Sequence, residues 1–409
     1  DIIFSFEKQD YDSFFGDARI TRSHQTFSSF SRYPLGLTLC EFHEDQDIEL
    51  IVEGNSEYFD LKETQWLASR FEHILIQSTE NHDIPVGNIT LSGINERSFI
   101  LNDLHKGVVH HQVEKTFIEL FESHASRAPN RTALVNSVQQ LTYSEVNDLV
   151  DCFAKKLQQS GVMPGSVILI HIPRSIDVII SILAIAKLGA VFVPIDVELP
   201  ENRIQSMVTS SSALALISNS NMKFQFGLPN IQFLFYELQE NRLEIERPFV
   251  PLAKLNSPAY ILFTSGTTGH PKGVVISHET LTKRLQYIAR EWQVTAEDRS
   301  AQMTLSHFDP ALIEVLVHLI SGASVAVPDS GRLEPEKMVA FAETFEATFM
   351  AFVPLTLSRF LNGVSDQKLK LRVACCGGES LPSDLAIRFV EKTGATLYNV
   401  YGPTEACIF

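Results

Sequence analysis

The segment richest in groups that could do chemistry is TSGTTGHPKG at 264–273. Gly266 and Gly269 let a backbone turn tightly and bring its N–H groups close to a ligand. Thr264, Ser265, Thr267 and Thr268 add hydroxyl donors, and Lys272 adds a positive charge. Such a loop fits a polyphosphate. It differs from the G-x-x-x-x-G-K-[ST] phosphate loop, because Lys272 follows Pro271 and precedes Gly273. On composition alone it also reads as an ordinary surface loop. Downstream, Phe308-Asp309, GGE at 377–379 and NVYGPTE at 399–405 offer carboxylates, turn glycines and an aromatic ring. Each is weak singly, since a YGP or a GGE can be a plain turn.

Elements must bring these groups together. The apolar run AYILF at 259–263 reads as a buried strand that empties into the first loop. From Glu114 onward the pattern alternates strand and helix. Val146, Leu149, Val150, Phe153 and Leu157 share a helical face, 167–170 is a strand, and 176–188 is a helix stopped by Gly189. Strands at 190–195, 213–217 and 233–236 continue the series. Apolar strands alternating with helices predict an α/β fold of parallel sheets covered on both faces by helices. Residues 1–100 read instead as a small α+β piece. It has a strand at 2–4 and a hairpin of 37–42 with 47–53. A helix follows, opened by an Asp60/Glu63 capping box, with Leu67, Phe71, Ile74 and Leu75 on one face. Periodicity fades over 85–112, a linker pattern studded with Ile94, Phe99 and Leu101.

With 409 residues and 44% hydrophobic content, one large domain or two are expected. The formal charge of −16, from 33 basic and 49 acidic residues, argues against nucleic acid or an anionic membrane as partner. A polyphosphate on the 264–273 loop would have to be met locally, by loop N–H groups and Lys272. The five cysteines show no C-x-x-C spacing, and Cys375-Cys376 in an apolar VACC run read as buried strand thiols. Neither a signal peptide nor an apolar run of spanning length is present, and a reducing cytoplasm fits. The chain starts at Asp1, within a strand pattern, and is expected to be an excerpt of something longer.

Taken in order, these motifs with LTYSE at 141–145 and KLGAVFVPID at 187–196 resemble the adenylate-forming enzymes. Among them the chain resembles the adenylation domain of a nonribosomal peptide synthetase. The resemblance covers 113–409, the larger subdomain of that enzyme. Residues 1–104 look like the end of a condensation domain with the start of a linker, and 105–112 are the linker. The condensation motif HHxxxDG is absent: His110-His111 is followed by QVEKT, and Ser31-Arg-Tyr-Pro-Leu35 leads into a strand, so this piece is expected to be catalytically silent.

The resemblance implies an enzyme that joins an amino-acid carboxylate to the α-phosphate of ATP, expels pyrophosphate and loads a phosphopantetheine-bearing carrier domain. In that role Thr264, Ser265, Gly266, Thr267, Thr268, Gly269 and Lys272 hold phosphates, and Thr404 bonds the α-phosphate. Glu405 is the Mg²⁺ ligand, a hard oxygen donor beside phosphate oxygens. Tyr401 offers a ring to adenine, beside Asn399, Gly402 and the Gly377, Gly378, Glu379 backbone. Asp309, after Phe308, matches the carboxylate that holds the substrate's ammonium group. As Asp-Pro it is also a good helix opening, and both roles are compatible.

The remaining pocket positions are Pro310, Ile313, Phe352, Ala374, Cys376, Val400, Ile408 and Phe409. Only thiol ionisation at Cys376 could charge that lining, which implies an apolar, aliphatic substrate side chain such as that of isoleucine, valine or leucine. A ribose-binding Asp and a catalytic lysine are expected on a smaller C-terminal subdomain that follows in the family. Implied partners are that subdomain, the carrier domain, the rest of the condensation domain and an MbtH-like protein. Two other readings stay open. One is an acyl- or aryl-CoA ligase of the same superfamily, which would generally lack the Asp. The other is a nucleotide-binding fragment without turnover.

Overall fold

A computed structural model describes residues 2–8, 14–19, 33–41, 47–104, 112–218, 231–235, 249–264, 271–329, 334–364 and 369–409. Ser265, Gly266, Thr267, Thr268 and Gly269 lie outside the described residues, as do Ser31, Phe42, His110, His111 and Tyr236. Internal contacts divide the chain into two compact units, Asp1–His110 and His111–Phe409.

In the first unit, strand Ile2–Lys8 runs parallel to Leu35–Glu41, which pairs antiparallel with Glu49–Gly54. The expected hairpin is therefore present, in the register Leu35↔Gly54 to Cys40↔Glu49. Helix Leu61–Glu80 opens with the expected reciprocal cap. Glu63 N donates to Asp60 Oδ1 at 2.7 Å, and Asp60 N donates to Glu63 Oε2 at 2.9 Å. Two of the helix's four unpaired N–H groups are satisfied this way. Its apolar face is half-buried, with Phe71 against Phe4 at 6.1 Å between ring centroids. The segment read as linker carries more structure than its composition suggested. Helix Ile94–Ser98 continues into a wide turn, Phe99–Asp103. Arg70 Nε reaches both carboxylate oxygens of Glu96, at 2.9 and 3.0 Å, and Phe99 meets Trp66 edge-on at 5.4 Å. One bidentate ion pair and one aromatic contact hold a sequence whose own periodicity is poor.

The second unit carries two mostly parallel sheets. The seven-stranded sheet runs Thr396–Asn399, Val373–Cys376, Phe349–Phe352, Arg299–Ala301, Ser324–Ala326, Thr132–Val135 and Gln140–Thr142. Only its last pair is antiparallel. The six-stranded sheet runs Gln232–Phe235, Ala215–Ser218, Val167–His171, Val191–Pro194, Pro258–Thr264 and Lys272–Ser277, again with an antiparallel final pair. Helix Ile176–Lys187 is buried at every residue except Asp177, as an all-round apolar sequence requires. Its last residue buries a charge. Lys187 pairs with Asp151 and Glu122, and Asp151 Oδ2 accepts from Phe249 N at 3.2 Å.

Helix Tyr143–Gln159 opens on a Thr142/Glu145 capping box and buries Val146, Leu149, Val150, Phe153 and Leu157. The Tyr143 hydroxyl donates to the carbonyls of Leu319 and Ala323, at 2.9 and 2.7 Å, tying LTYSE to the core.

Candidate active site

Strand direction gathers the motifs. Arg299–Ala301, Phe349–Phe352, Val373–Cys376 and Thr396–Asn399 are parallel neighbours, so the loops at their C-terminal ends leave from one edge of the sheet. Those loops carry Phe308-Asp309, Gly377-Gly378-Glu379 and residues 400–405. The ladder extends past the strands, with Val400 N bonded to Cys376 O at 2.9 Å and Gly377 N to Phe352 O at 3.1 Å. A Cβ on Gly377 would lie 2.7 Å from the Val400 carbonyl oxygen, so only glycine allows this approach.

The other sheet contributes the phosphate-loop flanks. In Pro258–Thr264 burial holds over Ala259–Leu262 and fades at Phe263 and Thr264, where the loop begins. Thr264 pairs with Lys272 across the antiparallel ladder, its Oγ1 3.5 Å from the Lys272 carbonyl oxygen. Lys272 is exposed, and its strand Lys272–Ser277 touches the short turn Thr404–Ala406. The loop flanks and the NVYGPTE motif therefore meet.

Asp309 stands at the junction. Burial pushes its carboxyl up to about 6; a hydrogen bond from the Thr404 side chain opposes that, and the Glu405 charge adds to it. Asp309 also acts electrostatically on Tyr260 and Cys407. The Tyr260 hydroxyl is 3.8 Å from Cys407 Sγ, and burial raises both groups. Residues 260, 309, 404, 405 and 407 thus share one locality. The expected capping role of Asp309 is not seen. Its backbone is already helical (φ −60°, ψ −31°) and its side chain makes no cap bond to Pro310–Leu312, which leaves the carboxylate to other partners.

Glu405 is exposed and accepts no hydrogen bond among the described residues, which hold no cluster of three metal-ligating side chains. A single free carboxylate suits Mg²⁺, which keeps several waters and takes phosphate oxygens rather than a protein cage. Tyr401 is 94% exposed, so its ring is open to stacking rather than used as core. Asn399 and Glu379 are exposed, and Gly378 takes φ +84°. Gly402 is overlaid by the returning chain: a Cβ there would lie 2.1 Å from the Phe409 Cα.

The ten substrate positions do not all converge. Ile313 and Ile408 are buried in one core layer, with Val400 and Phe409 packed against it. Phe308 and Pro310 flank Asp309, the former exposed and the latter half-buried. Phe352, Ala374 and Cys376 belong to another layer, with Leu357, Phe360 and Phe389. The pleat explains the split: alternate residues of a strand face opposite sides, so Ala351, Val373 and Cys375 join Ile313 and Ile408 instead. Cys376 also brings no charge, since burial and then the Glu379 charge push its thiol up to about 11.

The sequence reading also left out Tyr260, taken only as a strand residue, and Cys407 and Arg284. The Arg284 guanidinium lies 5.8 Å from the Phe409 ring centre and acts on Cys407. Trp292 stacks on Phe349 at 5.1 Å and lies 6.1 Å from Phe409. No sequence signal links helix His278–Glu291 to the end of the chain.

Comparison with known proteins agrees with this architecture. The AMP-binding enzyme family matches residues 121–409. Gramicidin S synthase 2 of Brevibacillus brevis is 28% identical over 398 residues, covering 93% of this chain and 9% of that protein. Enterobactin synthase component F of Escherichia coli (strain K12) is 30% identical over 381 residues, covering 90% of this chain and 28% of that protein. The chain thus spans under a third of either relative.

Among solved structures, the nonribosomal peptide synthetase FmoA3 superposes with a TM-score of 0.72 at 24% identity, covering 92% of this chain and 41% of that one. The N-terminal subdomain of Klebsiella oxytoca NpsA gives 0.66 at 26%, covering 72% and 76%. Family match, sheet order and motif placement lead to one assignment: the chain belongs to the AMP-binding enzyme family.

Proposed function

We propose that this chain activates an α-amino acid with an apolar, branched aliphatic side chain, such as isoleucine, valine or leucine, for transfer to a phosphopantetheine arm on a carrier domain. A substrate carboxylate oxygen attacks the α-phosphorus of ATP, the bond from that phosphorus to the bridging oxygen breaks, and pyrophosphate leaves. No proton need move, so the protein's tasks are alignment and charge stabilisation.

The observation that carries this reading is the meeting of Asp309 with Thr404 and Glu405. An ammonium group on Asp309 would hold the substrate beside the place where Thr404 meets the α-phosphate. Mg²⁺ on Glu405, with Lys272, would offset the phosphate charge. Adenine would stack on Tyr401, against the backbone of 377–379 and beside Asn399 and Gly402. Ser265, Gly266, Thr267, Thr268 and Gly269 would supply the remaining phosphate donors with Thr264. Ile313, Val400, Ile408 and Phe409 would form aliphatic walls, with Phe352, Ala374 and Cys376 approaching from the adjoining layer.

We read residues 1–104 as the closing part of a condensation domain with the start of a linker, and the activity as cytoplasmic. The test compares this chain with one extended by the following subdomain. Both should bind Mg·ATP. Amino-acid-dependent ATP–pyrophosphate exchange should be weaker in the shorter chain by about 10²–10³. Equal exchange would place the whole catalytic set within these 409 residues and refute the division of labour.

A further inference from the structure

We infer that Glu314 and Arg174 form a buried clamp that positions the loop carrying Asp309, so that both residues govern recognition of the substrate's ammonium group without touching it. The inference rests on the role of Asp309 proposed above. Residues 302–309 connect strand Arg299–Ala301 to helix Pro310–Leu312. Their first part is fastened on three sides. Gln302 N donates to Ala326 O at 2.9 Å within the sheet. The Met303 carbonyl accepts from Arg174 Nη1. Thr304 gives its N–H to Glu314, at 2.9 and 3.2 Å from the two carboxylate oxygens, and its hydroxyl to Oε1 at 2.9 Å.

The two clamp residues come from different places. Arg174 follows strand Val167–His171 of the six-stranded sheet, whereas Glu314 lies in the wide turn Ile313–Val317, just past the Asp309 helix. The loop is therefore held between one sheet and the helix it feeds. That wide turn also begins with Ile313, a proposed pocket wall. Turns of this width inside helices often mark functional sites.

Hydrophobic packing alone does not call for these charges. Glu314 is 0% and Arg174 is 3% exposed. Burying each charge carries a large desolvation cost, so two buried charged side chains bonded to a loop are a poor device for stability. Burial pushes Glu314 up to about 7, against the Thr304 bonds and the Arg174 charge. What the arrangement supplies is a fixed backbone at Met303 and Thr304, a few residues before the carboxylate that must meet the ammonium group. Tolerances for such contacts are on the order of 0.5 Å.

The test uses the longer protein that contains this chain and its following subdomain, assayed by ATP–pyrophosphate exchange. Glu314→Ala, Glu314→Gln, Arg174→Lys and Thr304→Ala are compared with Asp309→Asn, on an amino acid and its des-amino analogue. The clamp predicts that Glu314→Ala raises KM for the amino acid by about tenfold or more and lowers the amino/des-amino ratio of kcat/KM by a similar factor. The KM for ATP should stay within about twofold, and Glu314→Gln should recover most of the loss, since its carbonyl can still accept from Thr304. Thr304→Ala, which removes one hydroxyl and is the mildest change, should move the ratio in the same direction if Glu314→Ala fails to fold. Parallel loss of ATP and amino-acid binding would overturn the clamp, as would an unchanged ratio in Glu314→Ala and Thr304→Ala while Asp309→Asn abolishes it. An unchanged ratio in Asp309→Asn itself would refute the Asp309 assignment, and the clamp with it.

Discussion

Replacing Asp309 by Asn should make the ligand-free chain more stable and a much poorer amino-acid activator. Asp309 ionises near 6 rather than near the ordinary value, chiefly because it is buried, and Glu405 adds like charge. A carboxyl whose folded value is raised binds its proton more tightly when folded, so ionising it costs folding stability. That cost is absent below the unfolded value of about 3.9, grows as pH rises through the window up to about 6, and is constant above it. The full shift would convert to about 3 kcal/mol, but Asp309 is only half-buried, and solvent screening reduces the expectation to about 1 kcal/mol. For a unit of this size that is about 2 °C in Tm.

Thermal melts of both proteins at pH 8 and pH 4 read this directly: the Asn variant should melt higher at pH 8, and the difference should vanish at pH 4. The kinetic consequence has the opposite sign. An unpaired ammonium group costs roughly 3–5 kcal/mol, which is two to four decades in kcat/KM. In the unmodified protein kcat/KM for the amino acid should also decline as pH falls through about 6, where Asp309 takes up its proton. A variant that melts lower at pH 8, or that activates amino acids normally, refutes the reasoning.

Other perturbations probe the supports of the site. Gly402→Ala puts a Cβ 2.1 Å from the Phe409 Cα, so the turn after Glu405 must move; nucleotide affinity by calorimetry should fall by about tenfold or more. Asp151→Ala leaves the buried Lys187 with only the Glu122 carboxylate, and urea unfolding should show a loss of about 3–5 kcal/mol. Glu405→Gln in the longer protein should shift the Mg²⁺ titration of exchange to higher concentration, whereas an unchanged titration removes the metal assignment.

The parts of the fold that the sequence discloses are those written in local chemistry. Asp60/Glu63 announces its helix because a capping box needs only four consecutive residues. The strand before the phosphate loop is legible because Ala259–Leu262 is an unbroken apolar run. Thr116/Glu119 and Thr142/Glu145 cap helices Phe117–Arg127 and Tyr143–Gln159 with the same box, and both went unremarked.

What the sequence conceals depends on partners distant along the chain. Whether Ala374 or Cys375 faces Ile313 is set by the pleat and by which helix covers which face, and a one-residue error moves the side chain to the other layer. Asp309 looks like a cap because Asp-Pro favours one, yet its own backbone is already helical and its side chain makes no cap bond. The buried pair Lys187–Asp151, and the Arg174 and Glu314 side chains that close on Met303 and Thr304, join segments with no shared pattern, and the wide turn at Ile313–Val317 has no residue signature. Asp298 likewise gathers Arg372, Thr348 and Thr295 from three segments.

The measurement that bears most directly on amino-acid activation is ATP–pyrophosphate exchange by the longer protein across a panel of substrates. The panel holds isoleucine, valine, leucine, phenylalanine, lysine, aspartate and the des-amino analogue of the best of them. The account predicts highest kcat/KM on a branched aliphatic amino acid, with neighbouring aliphatics reduced only as far as about 1–3 kcal/mol per methylene allows. Charged side chains and the des-amino acid should lie well below. A preference for lysine, aspartate or the des-amino acid would contradict it.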